Sequence, residues 1–354
     1  MKYDYLIVGA GLYGAMSAYT LNKKGYKCLV IDKRNHIGGF CYTEKKYGID
    51  VHMYGAHIFR TNRKEVWDFV NTICEFVPFV NSPIAKNNGK VYNLPFNMNT
   101  FCQLYECSTP QEAKDAIAKD IVKCEHPTNL EDHVLSIAGK KIYETLVKEY
   151  TEKQWGKNCK ELPAEIMKRI PLRFTFDNNY YNELYQGIPK YGYTKFIEKL
   201  LDGSDVRLGI DYFSDRSISE CADKMIFTGE IDKFFDYRYG KLEYRSVDFV
   251  HHEYNEKNVQ GVAVVNYTTK DVPYTRSIEH RHFIRDDNEN NKSIVSYEYP
   301  SNNGEPSYPV NTRENMDKLA LYKKLAKETK NVDFLGRLAE YKYLSMNDII
   351  EQFI

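Results

Sequence analysis

Gly9, Gly11 and Gly14 are spaced G-x-G-x-x-G, and Asp32 follows eighteen residues after the last of them. That spacing suits the binding of a dinucleotide. The three glycines permit a tight turn, close approach of backbone to a pyrophosphate, and close helix–strand packing. The pyrophosphate sits on a helix N-terminus, where unpaired N–H groups and the helix dipole favour anions. Asp32 is placed to accept hydrogen bonds from the adenosine ribose. The elements that must position these residues are legible around them. Tyr5–Val8 is an apolar run that reads as a buried strand. Ala15, Met16, Ala18, Tyr19 and Leu21 give a helix its packing face, and Gly25 stops it. Lys27–Ile31 reads as a second strand ending at Asp32. An ordinary strand–turn–helix is the alternative, but strand, helix, strand and acid all fall in register.

The run Asp32-Lys33-Arg34-Asn35-His36-Ile37-Gly38-Gly39 adds a glycine pair behind the acid. This continuation resembles two-dinucleotide flavoproteins more than nicotinamide dehydrogenases, so FAD is the expected cofactor.

Bulk properties narrow the partners. The chain has 354 residues, enough for two or three lobes. Its 49 basic and 49 acidic side chains cancel, leaving no electrostatic footprint for nucleic acid or an acidic membrane. No apolar run approaches the length of a membrane span. The first strand begins at once, so no signal peptide and a cytoplasmic location are expected. Cysteines stand at 28, 41, 74, 102, 107, 124, 159 and 221, without a C-x-x-C pair. Reduced thiols are expected rather than zinc ligands or disulfides. The 30 tyrosines offer flat faces and hydroxyls suited to a base and to phosphates, although most belong to core or surface.

Further along, Thr61 and Asn62 offer cap chemistry before a helix over Glu65–Val70. From 98 to 155 the pattern is helical. Thr109-Pro110-Gln111-Glu112 combines a capping box with proline at the first helical position. Asn129 caps a helix that stops at Gly139, and the next runs into Trp155-Gly156, the start of a polar stretch with the character of a lid. Thr194–Leu201 reads as a helix, and Val206–Leu208 and Lys224–Thr228 as returns to the first sheet. Val259–Tyr267, Arg276–Ile284 and Ser293–Tyr299 alternate as strands of an antiparallel sheet, with Asp286–Lys292 a polar turn. Ser345 has cap spacing for a last helix near the cofactor. The expected fold class is α/β: a Rossmann-like FAD-binding domain with an inserted helical lobe and an antiparallel β-sheet domain. The expected boundaries are 1–80, 200–240 and 310–354 for cofactor binding, 96–160 for the helical lobe and its lid, and 81–95, 161–199 and 241–309 for a substrate sheet.

Several words of the sequence, in order, resemble bacterial UDP-galactopyranose mutases. They are Tyr54-Gly55-Ala56-His57-Ile58-Phe59, Asn93 through Phe101, Tyr150-Thr151-Glu152-Lys153-Gln154-Trp155-Gly156, Phe174 through Tyr180, Tyr274-Thr275-Arg276, and Gly336 through Tyr343. The resemblance implies non-covalent FAD used without net redox: N5 of reduced flavin attacks the anomeric carbon of UDP-galactopyranose and displaces UDP. The sugar opens, recloses through its 4-hydroxyl, and UDP returns to give UDP-galactofuranose, a unit for surface polysaccharide. NAD(P)H or another reductant is implied only to prime the flavin, and a homodimer is implied.

Carried over residue by residue, Arg276 and Arg169 match arginines on the diphosphate, where a planar guanidinium binds two oxygens and stabilises the leaving group. Tyr180, Tyr308 and Tyr343 match hydroxyl donors to it. Tyr150 matches the residue stacked on uracil, with Thr151 and Trp155 beside it. Asn81, Asn266 and Glu298 match positions near substrate or flavin. His57 matches the histidine beside the flavin ring, expected to donate toward N5 and keep a proton off it. Leu12, Tyr13, Lys33, Gly39, Phe40, Ile58, Asp211, Tyr212, Arg337 and Met346 complete the implied cofactor contacts.

Three positions depart from the family pattern. Phe40 replaces a common asparagine, Ser345 a common aspartate, and Arg60 the histidine usual in mutases restricted to UDP-galactose. Arg60 is expected to give the sugar pocket room or a donor for a 2-acetamido group, making UDP-N-acetylgalactosamine a second substrate. A tolerated exchange of basic residues is the plain alternative. An FAD-dependent oxidoreductase of amine-oxidase type shares the first fingerprint and is the alternative function. A non-catalytic dinucleotide-sensing module is the third.

Overall fold

The computed structural model describes residues 2–167, 172–284 and 290–354. It forms two compact units: Met1–Phe79, Glu183–Val247 and Ser301–Ile354 in the first, Val80–Asn182 and Asp248–Pro300 in the second.

The first unit is built on the opening strand–helix–strand: β1 (Tyr3–Val8), α1 (Leu12–Lys23) and β2 (Cys28–Asp32). β1 and β2 lie side by side and parallel, with Ile7 opposite Val30. Asp205–Leu208 flanks β2, Ala222–Phe227 flanks β1, and Val332–Phe334 closes the five-stranded parallel sheet. Side chains alternate between the faces. Ile7, Val30 and Ile226 pack with Ala15, Met16 and Ala18 of α1, whereas Leu6, Leu29, Ile31, Met225 and Phe227 pack on the other side with Tyr212. Both faces are covered, which is why these strands read as continuous apolar runs.

Residues 183–199 pack with this unit, whereas the sequence pattern groups them with the substrate sheet. Tyr185–Pro189 pairs antiparallel with both Phe59–Thr61 and Phe76–Pro78. A side chain at Gly187 would lie 2.6 Å from the Val77 carbonyl and 2.8 Å from Trp67, so the pairing needs glycine there. The helix Gly192–Leu200 then adds Tyr193, Phe196, Ile197 and Leu200 to the core around α1.

The second unit combines helices with a mixed sheet. Met98–Tyr105, Pro110–Asp120 and Leu130–Ile142 bury Met98, Phe101, Ile117, Leu130, Val134 and Ile142 against one another. The Thr109 capping box forms, and the Asn129 side chain accepts from the Asp132 N–H. Gly139 breaks the helical path at φ +81°, and beyond it the Lys141 N–H donates to the Asp120 carboxylate at 2.7 Å. In the sheet, Arg276–Glu279 pairs antiparallel with Val264–Tyr267 and with Ser293–Ser301. One pairing is parallel: Val264–Tyr267 runs alongside Ile84–Asn87.

Three local expectations change. Thr61 does not cap the helix Lys64–Ile73; its hydroxyl accepts from the Arg63 N–H just before it. The strand expected over 259–267 starts only at Val264, because the Val259 and Gln260 N–H groups donate to the Glu279 carboxylate. The strand from Arg276 ends at Glu279, where His280–His282 makes a 3-10 turn and the His280 ring meets the Ser296 hydroxyl. Most of the expected turn at 286–292 lies outside the described residues. No helix among those described is long and apolar enough to cross a membrane.

Phe196 is 2 % exposed and lies edge-on to Phe76. Phe196→Ala should cost about 3–5 kcal/mol, read as a lower urea midpoint of the first unit.

Candidate active site

The helix α1 begins without a side-chain cap: Gly11 is its N-cap residue and supplies none. Its first N–H groups are thus left for an incoming acceptor. A Cβ on Gly14 would lie 1.9 Å from the Gly9 carbonyl, so the helix start sits directly on the turn. A Cβ on Gly11 would meet only Gly39 Cα, at 3.8 Å, leaving its outer side open to a ligand. Gly11 also bridges to Gly38, bringing the glycine pair beside the turn. Asp32 is 5 % exposed; its carboxylate accepts from the Ala10 N–H and the Arg34 N–H, each at 2.9 Å. A carboxylate has about four acceptor sites, so capacity for a ribose remains.

These elements border a cavity of about 1280 Å³, including the solvent at its mouth. Gly9, Gly11, Leu12, Tyr13, Gly14, Asp32, Lys33, Gly39, Phe40, His57, Asp211, Tyr212, Arg337 and Met346 all line it. Ile58 is buried beside His57 but is not part of the lining. The Tyr13 hydroxyl donates to Gln352 at 2.9 Å, so this residue offers its ring rather than its hydroxyl. Ser345 keeps the expected cap of the helix Met346–Ile350, whose Met346 and Ile349 reach the cavity. Phe40 does more than pack: the Arg34 guanidinium lies over its ring at 5.5 Å.

His57 is oriented by its own turn. Its Nδ1 lies 2.7 Å from the Gly55 carbonyl oxygen, which can only accept, so Nδ1 carries a proton and donates to it.

Arg337 joins the cavity to two tyrosines. Its guanidinium lies 4.8 Å from the Tyr343 ring and 6.0 Å from the Tyr308 ring, and those two rings stack at 6.0 Å. Its N–H groups donate to the carbonyls of Leu344 and Ser307. Arg60, on the strand Phe59–Thr61, pairs with Glu183.

The other candidates stand in the second unit. Asn266, Arg276 and Glu298 are directly opposite one another on three adjacent strands, which puts them in one row on one face of the sheet. Arg276 donates to Glu298 at 2.9 Å, and Glu298 is 1 % exposed. Among the described residues, Glu298 Oε2 and Asn81 Oδ1 are buried without a hydrogen-bond partner. Such atoms are costly unless a ligand completes them. Tyr150, Thr151 and Trp155 lie on the helix Lys148–Trp155, Thr151 buried and Trp155 partly packed on the helical core. Tyr180 is exposed, its N–H tied to the Asn81 carbonyl at 2.8 Å. Arg169 lies outside the described residues.

Glu305 also lines the cavity and is bound by Lys33 and Arg34. Burial opposes its charge, but the two cations outweigh burial and hold its carboxyl below the usual range. No local pattern marks Glu305 in the sequence; only the fold brings it to β2. Thr228, which follows the strand Ala222–Phe227, donates to the Val8 carbonyl and lines the cavity too; the strand end before Gly229 was its available signal.

The model of the family of UDP-galactopyranose mutases matches residues 145–343, and that of NAD(P)-binding Rossmann-like domains matches residues 7–73. The chain belongs to the UDP-galactopyranose mutase family. It is 40% identical over 357 residues to a "Probable UDP-galactopyranose mutase" of Klebsiella pneumoniae, covering 99% of this chain and 92% of the relative. It is 38% identical over 363 residues to a dTDP-fucopyranose mutase of Escherichia coli, covering 99% and 96%. A crystal structure of reduced UDP-galactopyranose mutase shares the fold, with a TM-score of 0.76 at 14% identity over 99% of this chain and 93% of that one. Family and Rossmann-like unit together imply a flavin cofactor, and the uncapped helix, the glycine turn and the ribose-facing acid fit one.

Gly14→Ala should purify with little or no bound flavin, read as flavin absorbance per polypeptide, because its methyl group displaces α1 from the turn.

Proposed function

We propose that this member of the family interconverts the pyranose and furanose forms of a UDP-hexose, with UDP-galactose as a substrate. The observation that carries this is the row Asn266–Arg276–Glu298, a fixed cation whose carboxylate partner still has one unpartnered buried oxygen. Breaking the anomeric carbon–oxygen bond puts a full charge on the departing diphosphate. A guanidinium held by a buried carboxylate meets that charge without reorganising. The tyrosine hydroxyls of Tyr180, Tyr308 and Tyr343 add donors to the diphosphate, with Arg169 a second cation. Tyr150 offers a face to the base, with Thr151 and Trp155 beside it.

When bound and reduced, the flavin supplies the nucleophile for the anomeric carbon; NAD(P)H or another reductant serves only to prime it. Gly9, Gly11, Gly14, Asp32, Asp211, Tyr212 and Arg337 hold it. His57, its ring oriented by the Gly55 carbonyl, would lie beside the flavin ring.

The substrate is open on two sides. A relative at nearly the same identity acts on dTDP-fucopyranose, whose base carries an extra methyl and whose sugar lacks the 6-hydroxyl. A stacked tyrosine discriminates little between the two bases, and a methyl pocket is worth only about 1–3 kcal/mol. Arg60 remains the candidate for accepting a 2-acetamido group, although its guanidinium is engaged by Glu183.

Dithionite-reduced enzyme, wild type and Arg60→His, should be incubated with UDP-galactose, UDP-N-acetylgalactosamine and dTDP-fucose, and the products separated. Furanose product from UDP-galactose is expected, and from the acetamido sugar with wild type more than with Arg60→His. Conversion of none of the three overturns the proposal; wild type that ignores the acetamido sugar overturns the role of Arg60. Arg276→Ala should lower kcat by roughly 10²–10³ with flavin content unchanged. Near-full activity would remove Arg276 from the chemistry.

A further inference from the structure

Lys153 lies on the helix that carries Tyr150, Thr151 and Trp155, but it faces a loop instead of a ligand position. Its ammonium donates to three backbone carbonyls: Tyr267 at 2.8 Å, Val272 at 2.8 Å and Tyr274 at 3.0 Å. Tyr267 is the last residue of the strand Val264–Tyr267, and Val272 and Tyr274 lie in the connection from it to the strand Arg276–Glu279. Asn266 and Arg276 flank the segment so held. Two neighbours on the same helix face hold the same loop. The Glu149 carboxylate accepts from the Lys270 N–H at 2.7 Å, and Glu152 pairs with the Lys270 ammonium at 2.6 Å. Positions 149, 152 and 153 share a face by helical spacing.

We propose that Lys153 is a positioning residue for the nucleotide: its ammonium fixes the separation between the base-facing helix and the strand bearing Arg276. This rests on the proposed function, which gives the helix the base and Arg276 the diphosphate. A uridine diphosphate has a bounded span, and binding both its ends at once needs the two contact surfaces held within that span. An error of about 1 Å there costs heavily in rate and binding. Three carbonyls converging on one point suit a compact ammonium with three N–H groups. A planar guanidinium cannot reproduce that geometry.

The clamp also has a pH dependence of its own. Burial, opposed in part by Asp271 on the loop and Glu149 on the helix, pushes the Lys153 ammonium down to about 8. As pH rises through that value the amine keeps two N–H groups for three carbonyls, and one carbonyl loses its donor. The other charges facing it, Lys270 and Glu152, pair with each other. Nucleotide binding should therefore be strong below about pH 8 and weaken above it.

The test is calorimetric titration of flavin-loaded protein with UDP at about pH 7 and about pH 9.5, in wild type, Lys153→Arg and Lys153→Met. Ionisation of uracil itself affects all three alike and cancels in the comparison. Wild type is expected to weaken about tenfold more than Lys153→Arg over that range. Lys153→Met is expected to bind about tenfold more weakly at pH 7, with no further loss attributable to the side chain. In turnover the KM should rise more than kcat falls. Identical pH profiles for wild type and Lys153→Arg overturn the inference, as does wild-type affinity in Lys153→Met. If Lys153→Met does not fold, the comparison of wild type with Lys153→Arg decides alone. Wild type that fails to bind UDP at all overturns the proposed function, and the inference with it.

Discussion

The contact of Gly14 with the Gly9 carbonyl is the constraint on which the first unit depends. It leaves no room for even a methyl group, and it sets the start of α1 on the end of β1. From that contact follow the uncapped helix N-terminus, the open side of Gly11 and the reach of Asp32 to the Ala10 N–H. The glycine pair at 38 and 39 can lie beside the turn because Gly39 has no side chain: a Cβ there would lie 3.0 Å from Gly11 Cα. A flavin cradle is thus assembled largely from backbone, with charged side chains beside it that include Asp32, Lys33, Arg34, Glu305 and Arg337.

Such a cradle does not decide what a flavin is used for. The use proposed for it depends on groups elsewhere that make a diphosphate a good leaving group. Arg276 is proposed to meet that need: Glu298 is buried and fixes it, and a fixed cation gains more in stabilising a developing charge than a mobile one. The cost is a carboxylate oxygen left without a partner, a deficit that a bound ligand can remove. The clamp at Lys153 extends the same principle to backbone: a buried ammonium orders a loop whose two ends carry polar ligand candidates.

What could be read from sequence was local. The strand–turn–helix and the caps at Thr109, Asn129 and Ser345 are each written in a few adjacent positions. Residues 183–199 were hidden because their strand pairs with Phe59–Thr61 and Phe76–Pro78, more than a hundred residues away, and only Gly187 hints at the close approach. The short strands around Glu279 were hidden because one buried carboxylate captures the N–H groups of Val259 and Gln260, which alternation alone would assign to a ladder. Glu305 and Lys153 carry no local signal: a glutamate in a polar stretch and a lysine on a helix are ordinary until the fold supplies their partners. His57 was found by motif, but its hydrogen-bonding sense required the position of the Gly55 carbonyl.

The flavin is proposed to act without net redox although its cradle is of a redox type. The most direct measurement counts furanose product formed per equivalent of reductant, under anaerobic conditions, after a single reduction of the bound flavin. Many product molecules are expected from one reduction, with the flavin still reduced at the end. One equivalent of reductant consumed for each product, or reoxidation of the flavin in step with product, would contradict it.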